Sequence, residues 1–220
     1  MKTLVLDLDE CLVHTHIDEN ADPTIMDPAH LSRRSKYFEI RFTEDNEEES
    51  FWGIKRPHLD TFLTFADSYF DRIVVWSAGQ KEYVSLVVRE IFRDHRQPDM
   101  VLTKSDCIGP TSNYHKPLSV LKKRMPDLDM KLTLAIDDKT DNFRDNPNNG
   151  VSIPRFDPEP ATSYKKDDAC LLHIIDWLST SEVRACSDFT CQDKKAIFSS
   201  RKTHADGCCR RAAFFCATSA

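Results

Sequence analysis

No stretch of this chain carries the roughly 20 consecutive apolar residues that a membrane-spanning helix needs. A secretory leader is missing from its start: Lys2 is followed by only four apolar-compatible residues before Asp7. Cysteine is scarce where a disulfide framework would need it, with only Cys11, Cys107 and Cys170 of the eight lying in residues 1–180. Cations are short there too, 23 Lys and Arg against 32 Asp and Glu. An acidic body excludes broad attraction to duplex nucleic acid, which needs clustered cations to neutralise phosphates. These absences predict a soluble intracellular protein, nuclear or cytoplasmic, with reduced thiols and no direct nucleic acid binding. Internal repeats and low-complexity tracts are also missing from the body.

What is there suits one globular domain with an appendage: 220 residues, 40% of them apolar and 30% charged. Residues 3–6 (TLVL), 72–77 (RIVVWS) and 131–136 (KLTLAI) are short continuous apolar runs, the pattern of strands buried on both faces of a parallel sheet. Residues 16–35, with Pro23 and Pro28, predict a loop. KYFEIRF (36–42) and SFWGIKR (50–56) alternate and flank the acidic TEDNEEE, which predicts a hairpin with a solvated tip. Apolar residues recur at helical spacing over 58–70, 80–92 and 168–179, and Lys116 to Arg124 also predict a helix. The short, mixed pattern of 100–114 predicts a small β insertion. Asn149-Gly150 marks a turn before the short strand VSIP. Strands alternating with helices predict an open, mainly parallel α/β sheet with helices on both faces.

The three buried strands run into polar residues: Asp7 and Asp9, Ser77, and Asp137 with Asp138. Each feature alone has an ordinary explanation, a turn former or cap for the Asp pairs and a helix N-cap for Ser77. A Ca²⁺ loop beginning D-x-D fails, because the sixth position is Leu12 rather than Gly, the twelfth is Asp18, and a strand precedes it. Taken together, four carboxylates and a hydroxyl reach the edge of an open sheet where ligands bind. Such a cluster demands a cation, and oxygen donors with a phosphate favour Mg²⁺.

LVLDLDECLVHT, KRPHLDTFL, IVVWSAGQKEY, YHKPLSVL and LAIDDKTDNF followed by NNGVSIPRF resemble, in order and spacing, the FCP/SCP phosphatases. These are the RNA polymerase II C-terminal-domain phosphatases and their small relatives, within the haloacid dehalogenase superfamily. The resemblance covers residues 1 to about 180. It implies a Mg²⁺-dependent protein serine/threonine phosphatase in which Asp7 attacks phosphorus and forms an aspartyl-phosphate. Asp9 then serves as general acid and afterwards as base. Metal ligands would be Asp7, the main-chain carbonyl of Asp9, and the Asp137/Asp138 pair, with Asp138 closer. Ser77 and the N–H groups of Ala78 and Gly79 would bind the phosphoryl oxygens, and Lys116 would neutralise charge. Lys104 and Arg56 are candidate substrate contacts. The implied substrate is a phosphoprotein or phosphopeptide, extending to the polymerase C-terminal repeat, and the expected form is a monomer. Two alternatives stay open: hydrolysis of small phosphomonoesters, and a non-catalytic binding domain like the import receptor that shares this fold.

Departures are few. The family usually has Thr at Cys11, and K-D-L where Lys116-Pro117-Leu118 stands; Pro fits the first turn of a helix. Residues 181–220 lack clear periodicity and predict a mobile, weakly basic, Cys-rich tail. Cys186, Cys191, His204 and Cys208 fall at zinc-finger spacing without a finger's usual apolar core, and CCRRAAFFC has the composition of an acylated membrane contact.

Overall fold

The structure, a computed structural model, describes residues 1–16, 37–44, 47–110, 113–157 and 168–198. Five strands form a parallel sheet: β1 (Thr3–Leu6), β5 (Arg72–Trp76), β6 (Met100–Leu102), β7 (Thr133–Asp137) and β8 (Gly150–Ser152), in the order β6-β5-β1-β7-β8. β1 pairs β5 on one side, with Leu6 opposite Val75, and β7 on the other, with Leu6 opposite Ile136. The chain therefore builds outward from β1, returns, and builds out the other way. That reversal opens a crevice beyond the carboxyl ends of the central strands.

Side-chain alternation divides each central strand between two cores. Leu4, Leu6, Ile73, Val75, Leu134 and Ile136 face one core, which α1 (Leu59–Tyr69), α2 (Lys81–Ile91) and α4 (Cys170–Ser179) cover. Val5, Val74, Trp76 and Ala135 face the other, under α3 (Leu118–Arg124). Burial on both faces is the reason these strands are continuously apolar. Among the described residues no helix is long and apolar enough to cross a membrane.

A second sheet is antiparallel: β2 (Val13–His16), β3 (Tyr37–Glu44) and β4 (Glu47–Lys55), in the order β2-β4-β3. β3 and β4 are the expected hairpin, with strands running further into the acidic segment than the alternation predicts; positions 45–46 lie outside the described residues. Beyond this sheet, the small β element expected over 100–114 amounts, among the described residues, to one antiparallel bridge, Ile108 with His115. Met100–Leu102 instead pairs in parallel with β5 as the edge of the main sheet. Three residues are too short to show a period that separates an edge strand from an insertion.

Two further boundaries move. Lys116 and Pro117 precede α3, and Pro117 sits at its N-cap with φ −70 and ψ 125, outside the helical region. The ordered fold also continues past residue 180. A short helix α5 (Ser181–Arg184) and a 3-10 turn (Phe189–Cys191) follow, and Val183, Phe189 and Ile197 are buried in the larger core. Lys2 extends its ammonium over the Tyr69 ring and donates to the Arg184 carbonyl, joining this segment to the N-terminus. His204, Cys208 and the later cysteines lie outside the described residues, as do residues 17–35 of the loop expected at 16–35, whose first residue, His16, instead ends β2.

Candidate active site

β1 stops at Leu6, and the next backbone N–H, that of Asp7, still donates to the Ile136 carbonyl at 3.0 Å. Leu8 points into the core and is fully buried. Side chains two apart share a face, so Asp7 and Asp9 both turn toward the crevice. The chain then folds back tightly: the N–H groups of Cys11, Leu12 and Val13 all approach the Leu8 carbonyl. Glu10 takes the left-handed φ of 61 that this turn requires. Thus a carboxylate pair follows an apolar strand because the strand ends between sheet and turn, and the apolar residues that follow begin the second sheet.

Asp7 and Asp137 are buried and share one cation. Lys116 Nζ donates to Asp7 Oδ1 and to Asp137 Oδ2, each at 2.7 Å. Asn142 donates to the same Asp137 oxygen at 2.7 Å, and the Lys139 N–H to the other at 2.9 Å. Burial opposes the charge on Lys116, but the two carboxylates outweigh it and hold the ammonium above the ordinary lysine range. Burial pushes the Asp7 carboxyl up to about 8, with Lys116 pulling against it and Asp137 adding to it. One ammonium does not neutralise two buried carboxylates.

Asp138 stands beside them, half-buried, its carboxyl raised by burial and then by Asp137. Its Oδ1 is buried with no hydrogen-bond partner. Oxygens of Asp7, Asp137 and Asp138 lie within 4.8 Å of one another. Three carboxylates against one ammonium leave two negative charges, and an orphaned buried oxygen is costly. A divalent cation with oxygen ligands fits both deficits.

Asp9 has different company. Ser77, buried at the end of β5, donates from Oγ to Asp9 Oδ2 at 3.2 Å. The Tyr83 hydroxyl, on the first turn of α2, donates to Asp9 Oδ1 and meets Thr15 Oγ1 at 2.8 Å. The Gly79 N–H donates to Ser77 Oγ at 3.0 Å, and the Gly79 carbonyl accepts from the Lys104 N–H at 2.9 Å. Asp7, Asp9, Ala78, Gly79, Lys116 and Asp138 all border one open cleft of about 660 Å³.

Of the two candidate substrate contacts, Arg56 does not reach this cleft. It is 2% exposed, and its guanidinium donates to the Cys11 and Pro154 carbonyls and to Asp168. Arg56 is a clamp that ties the turn after Asp9 to the segment leaving β8. Its place in an ordinary Arg-Pro pair hides this, because burial of a charge is a tertiary property. Lys104 does not line the cleft either; its ammonium lies 5.7 Å from the ring centroid of Tyr114, which does. Cys11 is fully buried, its Sγ 3.8 Å from the Ile136 carbonyl, and burial raises its thiol well above the ordinary range. Sequence reasoning missed Tyr83, Thr15 and Asn142. The available signal for Tyr83 was a polar aromatic one helical turn into the helix that Ser77 leads into.

An open parallel sheet whose central strand delivers Asp7 to a lysine and an acidic pair, and Asp9 to two hydroxyls, fits a haloacid-dehalogenase-type phosphatase. The chain belongs to the NLI interacting factor-like phosphatase family, whose pattern it matches over residues 2–190, and it is a phosphoprotein phosphatase, as its motifs predict. Among curated proteins it is 30% identical over 188 residues to a Caenorhabditis elegans CTD nuclear envelope phosphatase 1 homolog, covering 84% of this chain and 70% of that one. It is 27% identical over 188 residues to the Xenopus tropicalis CTD nuclear envelope phosphatase 1, with the same coverage, 84% and 70%. Among solved structures, Fcp1, titled an essential RNA polymerase II CTD phosphatase, matches with a TM-score of 0.57 at 18% identity. That match covers 80% of this chain and 49% of the Fcp1 chain, and it speaks for the fold.

Proposed function

We propose that this protein is a Mg²⁺-dependent protein serine/threonine phosphatase that works through an aspartyl-phosphate on Asp7. The observation that carries the reading is the difference in partners between the two carboxylates, Asp7 against a lysine and Asp9 against hydroxyls. A phosphate monoester resists water because its oxygens repel nucleophiles and its alkoxide leaves poorly, and a covalent intermediate divides that barrier in two. A carboxylate oxygen of Asp7 attacks phosphorus as the bond to the serine or threonine oxygen breaks. Asp9 gives its proton to the departing oxygen, then takes one from the water that hydrolyses the acyl phosphate. Ser77 and the N–H groups of Ala78 and Gly79 orient the phosphoryl oxygens, and Lys116 balances their charge. Asp7, the main-chain carbonyl of Asp9 and the Asp137/Asp138 pair, with Asp138 the closer, would hold the metal, which neutralises phosphoryl charge when bound.

The substrate is a phosphoserine or phosphothreonine in an extended segment, which an open cleft admits. The names of the relatives favour a nuclear or nuclear-envelope setting, with the polymerase C-terminal repeat among the substrates to try. Wild-type protein should hydrolyse an aryl phosphate only with Mg²⁺, and Asp7→Asn should abolish turnover; normal turnover in that variant would remove Asp7 as the nucleophile. A panel of phosphopeptides and sugar phosphates decides the substrate class. Faster hydrolysis of sugar phosphates would favour the small-monoester alternative.

A further inference from the structure

The partners of Asp9 differ in chemical kind from those of Asp7 and Asp137. Lys116 and Asn142, which hold Asp7 and Asp137, only donate through their nitrogens. Both side chains that reach Asp9 are hydroxyls, Ser77 on one oxygen and Tyr83 on the other. Tyr83 is itself braced on several sides. Its hydroxyl meets Thr15 of β2, and its ring lies 5.3 Å from the Phe51 ring of β4. Gly79 borders it closely: a Cβ there would come within 2.9 Å of Tyr83 Cδ1.

We infer that Tyr83, braced by Thr15, is a positioning residue that holds the Asp9 carboxyl in line for proton transfer to the leaving oxygen. The inference rests on the proposed role of Asp9. An aspartate side chain has several rotamers, and hydroxyls on both its oxygens select one of them. A hydroxyl can donate to a carboxylate or accept from a carboxylic acid, so these contacts survive the movement of the proton. While Asp9 is ionised, Thr15 donates to Tyr83 and Tyr83 to Asp9. While Asp9 carries its proton, Tyr83 can accept from it and turn its own hydrogen to Thr15. A donor-only lysine in the same place would oppose the acid form. The small antiparallel sheet thereby reaches the reacting centre through two side chains, Thr15 and Tyr83.

The test compares kcat/KM on a phosphoserine peptide, whose alkoxide needs a proton, with that on an aryl phosphate, whose leaving group needs none. In Tyr83→Phe the ratio of peptide to aryl values should fall about 10–100-fold, the scale of a misplaced general acid. Thr15→Val should shift the ratio in the same direction by less, and Thr15→Ser should restore it. Asp9→Asn supplies the reference and should shift the ratio furthest. A Tyr83→Phe ratio equal to wild type, beside a large shift in Asp9→Asn, overturns the inference alone. If Asp9→Asn lowers both substrates equally, the acid role of Asp9 falls and the inference with it. Should Tyr83→Phe fail to fold, Thr15→Val carries the same comparison, and an unchanged ratio there overturns the inference.

Discussion

Asp7 and Asp9 stand two residues apart and do different work because different elements meet them. Asp7 faces Lys116 and Asp137 in a buried cluster, which holds its proton more tightly than the unfolded chain does. That contribution to stability is complete below about pH 4 and is lost as pH rises toward 8, the pKa to which burial lifts Asp7. Chelator-treated protein should therefore lose thermal stability across that window, and Asp7→Asn should flatten the loss, as thermal melts at several pH values will show. Cys11 gives a second residue-scale expectation. Fully buried, with its thiol raised, it should resist thiol reagents in the folded protein and react only on unfolding, as thiol titration with and without denaturant can test. The carboxylates, Ser77 and Lys116 were legible in the sequence because each follows a recognisable strand or motif. Tyr83 was not, because a tyrosine at the start of a helix reads the same whether its hydroxyl meets water or a carboxylate.

At the scale of elements, the site depends on how the small sheet and the turn after Asp9 are fastened. Arg56 joins three partners from the motif turn, the β8 exit and Asp168. Arg56→Ala would strand the buried Cys11 carbonyl and remove the partners of the Pro154 carbonyl and the Asp168 carboxylate, and should cost roughly 3 kcal/mol in urea unfolding. Gly53 of β4 lies under the Phe38 ring, where an added Cβ would come within 2.0 Å of it. Gly53→Ala should cost roughly 1–3 kcal/mol by overpacking in the same unfolding assay. The hairpin could be read from its alternation, and the parallel strands from their apolar runs. Pairing of Val13–His16 with β4 could not, since four residues carry too little pattern and the partner lies forty residues away. The same shortness made Met100–Leu102 look like an insertion.

Across the whole molecule, residues 181–198 are part of the fold. Val183, Phe189 and Ile197 bury side chains worth on the order of 1.5–3 kcal/mol each, before the cost of ordering the segment. Truncation after 180 should therefore lower the melting temperature measurably, compared with truncation after 198. Metal acts at this scale too. If the acidic cluster binds Mg²⁺, saturation at a hundred times Kd adds about 2.7 kcal/mol, or roughly 5–10 °C in a domain of this size. Differential scanning calorimetry with and without Mg²⁺ measures it.

The sequence by itself determined the alternation of strands and helices, the acidic ends of three strands and the family, because these are written in local periodicity and short motifs. Only the tertiary structure decided that Arg56 is a buried clamp, that Lys116 bridges two carboxylates, that Asp9 leans on Tyr83 and Thr15, and that the segment after 180 packs. Those are contacts between residues distant in the chain, and their energies come from burial and hydrogen-bond geometry that no local pattern encodes.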